Sequence, residues 1–182
     1  MTEPVRISDE DFFPTLLAFQ RSAFRAEIQP RYREDEESQH VRDFLADRAA
    51  LPPDVPYYAY WFEQIAAHRR NRHTVQRVRV HATPPNDYQR YLQWASRWNV
   101  ELGGEEIRYI DPRKAQDLGL LAEPRTDWWL LDGNRLLVMR FDDAGNRIRN
   151  ELVTEPAAIQ KAEAWRDLAI HHSALEPQGI AA

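Results

Sequence analysis

The chain has 182 residues, 43% hydrophobic and 29% charged, which suits one domain with a core and not a disordered chain. The absence of cysteine excludes disulfides, thiol catalysis and thiolate-held metal or iron–sulfur centres. A formal net charge of -5 argues against general affinity for nucleic acid, and no apolar run approaches the ~18 residues of a membrane span. The acidic start, Met1 to Phe13, has no apolar signal region, so a cytoplasmic protein is expected.

In chain order, Ser8 followed by Asp11 reads as a helix start, with the helix running to about Gln20. Ser22 to Ile28 reads as a strand, with Phe24, Ala26 and Ile28 on one side and Arg25 and Glu27 on the other. Glu34 to Arg48 reads as a helix with Val41, Phe44 and Leu45 inward, its acidic first turn complementing the positive end of the helix dipole. After a proline-rich loop, Pro56 opens a helix whose Tyr57, Tyr58, Trp61, Phe62 and Ile65 form one apolar face. It ends in a basic cluster, His68 to His73, that suits the negative end of the dipole.

Thr74 to His81 is the clearest strand, with Val78 and Val80 facing one way and Arg77, Arg79 and His81 the other, although Val75 looks out of pattern. Asn86 caps a helix to about Asn99, with Tyr88, Tyr91, Leu92, Ala95 and Trp98 as its apolar set. Glu105 to Ile110 reads as a strand, and Asp111-Pro112 opens a short helix ended by Gly119. Trp128 to Leu131, Arg135 to Phe141 and Arg147 to Val153 form a meander joined by Asp-Gly-Asn and Asp-Asp-Ala-Gly-Asn turns. Pro156 begins a last helix to about Ser173. The pattern predicts one α/β or α+β domain over residues 1–174, with a mixed sheet, flanking helices and a flexible tail at 175–182. Trp61, Phe62, Tyr91, Trp128 and Trp165 are the expected large core residues.

Several short blocks occur in a telling order. They are Arg21-Ser22-Ala23-Phe24-Arg25-Ala26-Glu27, Arg77-Val78-Arg79-Val80, Asp87-Tyr88, Gly103 to Tyr109, Asp127-Trp128-Trp129-Leu130-Leu131-Asp132 and Trp165 to Ala169. In this the chain, from about residue 10 to 173, resembles the DUF6879 family of actinobacterial domains of unknown function. The resemblance implies a small cytoplasmic protein, often encoded beside helix-turn-helix regulators, with no established activity.

Arg77 and Arg79 share one face of a strand expected inside the sheet, where an unpaired charge is costly. Glu27, Asp87, Glu105 and Glu106 are the carboxylates available to them. One outcome is a purely structural salt-bridge network. The other is a polar pocket in which Arg79, Asp87, Tyr88 and Arg108 converge on an anionic ligand at the strand ends. Arg69, Arg70 and Arg72 offer a second site, for phosphate or nucleic acid, although cations complementing the dipole at a helix end are the preferred explanation.

No HExxH, calcium-loop, GxSxG, P-loop or GxGxxG pattern occurs, and neither Lys114 nor Lys161 completes the HxK of phospholipase D. No metal or cofactor is therefore expected. The reading is a non-enzymatic accessory or regulatory domain binding a protein partner, such as a helix-turn-helix regulator, or an acidic small ligand. The alternatives are an enzyme using Arg79, Asp87 and Tyr88, and a nucleic-acid module using the region from Arg69 to Arg79.

Overall fold

A computed structural model describes residues 3–33 and 35–176. Seven strands form one sheet in the order β1-β7-β6-β5-β2-β3-β4. These are β1 (Val5–Ile7), β2 (Ser22–Glu27), β3 (Thr74–Val80), β4 (Glu106–Ile110), β5 (Thr126–Leu131), β6 (Arg135–Phe141) and β7 (Arg147–Val153). The helices are α1 (Asp9–Leu16), α2 (Asp35–Leu45), α3 (Pro56–Arg70), α4 (Asp87–Trp98), α5 (Pro112–Asp117) and α6 (Pro156–His172). β2, β3 and β4 run parallel, joined through helices, while β5, β6, β7 and β1 are antiparallel. The expected mixed sheet with a C-terminal meander and flanking helices is present.

Strand alternation divides the core in two. One face carries Val75, Trp129, Leu131, Leu137 and Met139 and packs against α1, α3 and α4, with α2 outside them. The other carries Phe24, Ala26, Val78, Val80, Leu130 and Val138 and packs against α5 and α6. Val75 fits the alternation after all, because it precedes Arg77 by two residues and shares its face.

Local chemistry sets several boundaries. α1 stops at Leu16, earlier than periodicity suggests, because Asp132 claims the following chain. Its carboxylate accepts from the amides of Gln20, Arg21 and Ser22, from a turn residue at φ 55°. β1 was not legible, since three residues give no alternation signal. It is held as an edge strand against β7. Val41 and Phe44 pack inward as expected, but Leu45 is exposed, and His40 is the buried residue among those described in this helix. Phe62 and Tyr91 are buried as expected, whereas Trp61, Trp128 and Trp165 are half-buried, and the buried tryptophan is Trp129. Ala174 pairs with Tyr109 through both backbone hydrogen bonds, and the expected tail lies from residue 177 outside the described residues. No described helix is long and apolar enough to cross a membrane.

α4 begins with a reciprocal capping box. The Asn86 side chain accepts from the Gln89 amide, and the Gln89 side chain accepts from the Asn86 amide. Asn86→Ala should lower stability by about 1 kcal/mol, read from the shift in a urea unfolding midpoint. No shift would mean that the cap is replaced by solvent.

Candidate functional site

The face covered by α1, α3 and α4 encloses a cavity of about 580 Å³. Its floor is made by the central strands. Alternation sends Arg25 and Glu27 of β2 and Arg77 and Arg79 of β3 to this face, and the parallel register sets Arg25 beside Arg77 and Glu27 beside Arg79. Trp129 of β5 lies on the other side of Arg25.

Three guanidinium groups thus crowd one carboxylate. Glu27 Oε2 accepts from Arg77 Nη1 at 2.7 Å, and Arg79 Nε lies 3.0 Å from Glu27 Oε1. Arg25 Nε is farther, 3.6 Å from Oε2. Burial opposes ionisation of Glu27, but Arg79, Arg25 and Arg77 together outweigh it and hold the carboxyl far below the usual range. Arg77 also donates to Glu105, which is in turn held by Asn99 at 2.8 Å. Arg79 reaches Ser96 and the Leu92 carbonyl on α4.

Arg25 is less well served. Its Nη2 is 3.5 Å from Asp127, and its guanidinium lies 5.6 Å from the ring centres of Tyr32 and Trp129. Arg25 Nε is buried and makes no hydrogen bond, whereas Arg79 Nε is ion-paired with Glu27 at 3.0 Å. Asp127 is well satisfied, accepting from the Ile28 amide, Gln29 and Tyr32. Burial nevertheless raises its carboxyl, against Arg25 and the Tyr32 hydrogen bond.

The walls are aromatic. Tyr58 of α3 is fixed by its hydroxyl, 2.5 Å from that of Tyr91. Tyr91 contacts His40 Nδ1 at 3.0 Å, and the Ala50 carbonyl takes His40 Nε2 at 2.8 Å. Tyr88 donates to Glu37, whose carboxyl is raised by burial. Trp61 stands over Trp129 at 5.9 Å, and the exposed Tyr57 and Tyr60 mark the solvent side.

The four residues expected to converge do not. Arg79 and Tyr88 line the cavity. Asp87 is exposed and pairs with Arg90 at 3.2 Å, since it precedes Tyr88 in the helix and points away. Arg108 lies on the opposite face, because the register places it beside Val78, and it binds Ser173 and Glu106 there. Of the four candidate carboxylates, Glu27 and Glu105 serve the arginines. Arg69, Arg70 and Arg72 are exposed at and beyond the end of α3, where Arg69 lies against Gly104. Sequence reasoning did not select Tyr32, Glu37, Asp127 or Trp129. The legible signal was Asp127, an aspartate inside a strongly apolar strand run.

These groups give opposite pH effects. Glu27 is lowered from an ordinary 4.5, so its stabilisation is present above that value and is lost as pH falls. Glu37 and Asp127 are raised from ordinary values of 4.5 and 3.8, so theirs is present below those values and lost as pH rises through the folded-state pKa. Two histidines act the other way, because burial lowers His81 from 6.5 to about 3 and also lowers His68, so both cost stability as pH falls below about 6.5. The Glu37 contribution is therefore read as a difference: between pH 7 and pH 4.5 the unfolding midpoint of the wild type should gain on that of Glu37→Gln. A difference that does not change with pH would contradict the raised Glu37 carboxyl.

The fold and cavity define an α/β domain with a seven-stranded mixed sheet and a buried-arginine floor. The chain belongs to the family described as domain of unknown function DUF6879, whose model matches residues 10–176. No curated protein matches the sequence. Among solved structures, NucT from Helicobacter pylori is similar in fold, with a TM-score of 0.53 at 11% identity, covering 94% of this chain and 96% of that one.

Proposed function

We propose that the domain is a non-enzymatic, cytoplasmic accessory module that binds a small acidic ligand in its arginine-floored cavity. The observation that supports this most directly is the Arg25 guanidinium, held only by long ion pairs at 3.5 and 3.6 Å and lining an aromatic-walled space of about 580 Å³. A purely structural network has no use for that space, and unsatisfied buried donors are costly. The floor lies beneath α3 and α4, within reach of a small molecule and not of a folded partner's surface. Glu27, held ionised by three arginines, is too weak a base for general base work near neutral pH. A helix-turn-helix regulator, as the family resemblance implies, would then sense ligand occupancy from outside.

The test is a thermal-shift screen of the purified chain against small carboxylates, phosphates, sulfonates and nucleotides, alongside native mass spectrometry of the protein from its host. Some anions should raise the melting temperature, and Arg25→Gln should abolish the rise. A chain that responds to no anion and carries none from its host would sink the proposal. Duplex DNA and single-stranded RNA should bind little at physiological salt. Tight, salt-sensitive binding lost in an Arg69/Arg70/Arg72 triple-alanine variant would favour the nucleic-acid reading instead.

A further inference from the structure

The charges on the floor constrain the ligand beyond its sign. Three guanidinium groups, on Arg25, Arg77 and Arg79, face three carboxyl groups, on Glu27, Glu105 and Asp127. Arg77 is bonded on both sides, to Glu27 and Glu105. Arg79 is anchored to α4 through Ser96. Arg25 has only long ion pairs, at 3.5 and 3.6 Å, and is the guanidinium with an edge to offer. A ligand at Arg25 therefore meets one available fork, with Glu27 close behind it. Glu37 lines the same cavity.

Arg147 also lines the cavity, over the Phe12 ring and 3.8 Å from Asp9. With the floor itself balanced, one negative charge is accommodated there, and a second meets Glu27 and Glu37. A phosphate monoester carries about 1.5 to 2 negative charges at neutral pH and is disfavoured. A carboxylate carries one charge in a plane and matches a guanidinium edge with two parallel hydrogen bonds. The walls specify the rest of the molecule. Trp129 is pinned beside Arg25 and Arg77, with guanidinium carbons 5.6 and 5.5 Å from its ring centre. Trp61 and the hydrogen-bonded Tyr58 complete a set of aromatic faces, which favour offset or edge contact with another ring.

We propose that the cavity takes a flat aromatic monocarboxylate, its carboxylate on the Arg25 guanidinium and its ring against Trp129, Trp61 and Tyr58. This rests on the acidic-ligand reading of the same cavity and narrows it to one chemical class.

Isothermal titration of the intact chain with cinnamate and 2-naphthoate tests it, beside cinnamamide, octanoate, phenyl phosphate and adenosine monophosphate. At least one aromatic carboxylate should bind in the submillimolar range. Cinnamamide, lacking the charge, should bind at least about tenfold more weakly than cinnamate. Arg25→Gln should weaken carboxylate binding by a similar factor, and Arg25→Lys, which keeps the charge without the planar fork, should fall between. Circular dichroism of both variants confirms that they fold, and Arg108→Gln on the opposite face should leave binding unchanged. Tighter binding of phenyl phosphate or adenosine monophosphate would overturn the monocarboxylate and leave the acidic-ligand reading standing. Octanoate matching cinnamate would overturn the requirement for a ring. If no carboxylate binds while other anions shift the melting temperature, the class is wrong and the site is right. If nothing in either experiment binds, both fail.

Discussion

Replacing Glu27 by Ala should lower folding stability by about 3–5 kcal/mol, more than any other single change of a charged residue on the sheet. Glu27 is 3% exposed and is the shared counter-charge of Arg25, Arg77 and Arg79. Its loss leaves two like charges directly opposite each other, Arg25 and Arg77. Arg79 also loses its paired carboxylate, while its links to Ser96 and Leu92 carry no compensating charge. Glu27→Gln keeps the volume and should still be strongly destabilising, which separates lost charge from a cavity. Adding Arg79→Met to Glu27→Ala should recover part of the loss, because removing a stranded buried cation relieves its desolvation. Asp87→Ala is the control, an exposed surface change expected within about 0.5 kcal/mol of wild type. Urea unfolding followed by circular dichroism measures all four. A Glu27→Ala loss no larger than the Asp87→Ala change would mean that the arginines do not depend on this carboxylate.

The need for such a carboxylate could be read from the sequence, and its identity only in part. Arg77 and Arg79, two apart in an apolar strand, already required partners inside the sheet. Which of four carboxylates supplied them depended on strand order and register, which no local pattern encodes. β2 lies beside β3, so Glu27 meets the arginines, while Asp87 turns outward on α4. Arg108 shows the limit most sharply. A parallel register that sets Val78 beside Arg108 places it on the apolar face, and a shift of one residue would have brought it into the cavity. Glu37 and Tyr32 contribute across more than fifty residues of chain or from a loop, where neither periodicity nor spacing carries information. The element boundaries were more legible because caps are local: Ser8, Asn86 and Asp111 each accept from the amide two or three residues ahead. α1 was the exception, because its end is set by Asp132 from the far end of the sheet sequence.

Trp129→Ala should cost about 3–5 kcal/mol, and should cost more than Trp165→Ala, although both residues are tryptophans packed on the sheet. Trp129 is 2% exposed and sits mid-sheet on β5, opposite Arg25 on one side and Leu137 on the other. Truncation removes a large apolar area, empties volume next to an existing cavity, and takes the ring from beside two guanidinium groups. Trp165 is half-buried against Phe24 and Trp128, with its Nε1 donating to the Leu120 carbonyl. Its removal lets α6 and solvent close part of the gap, so the residual cavity is smaller. The two variants also differ in what they do to the proposed site. Trp129→Ala should weaken aromatic carboxylates while Trp165→Ala, on the other face, leaves them unchanged. Equal stability losses would show that position in the sheet does not set the cost. Equal binding in the two variants would remove the Trp129 ring from the ligand's surroundings, and with it the reason to expect a planar ligand there.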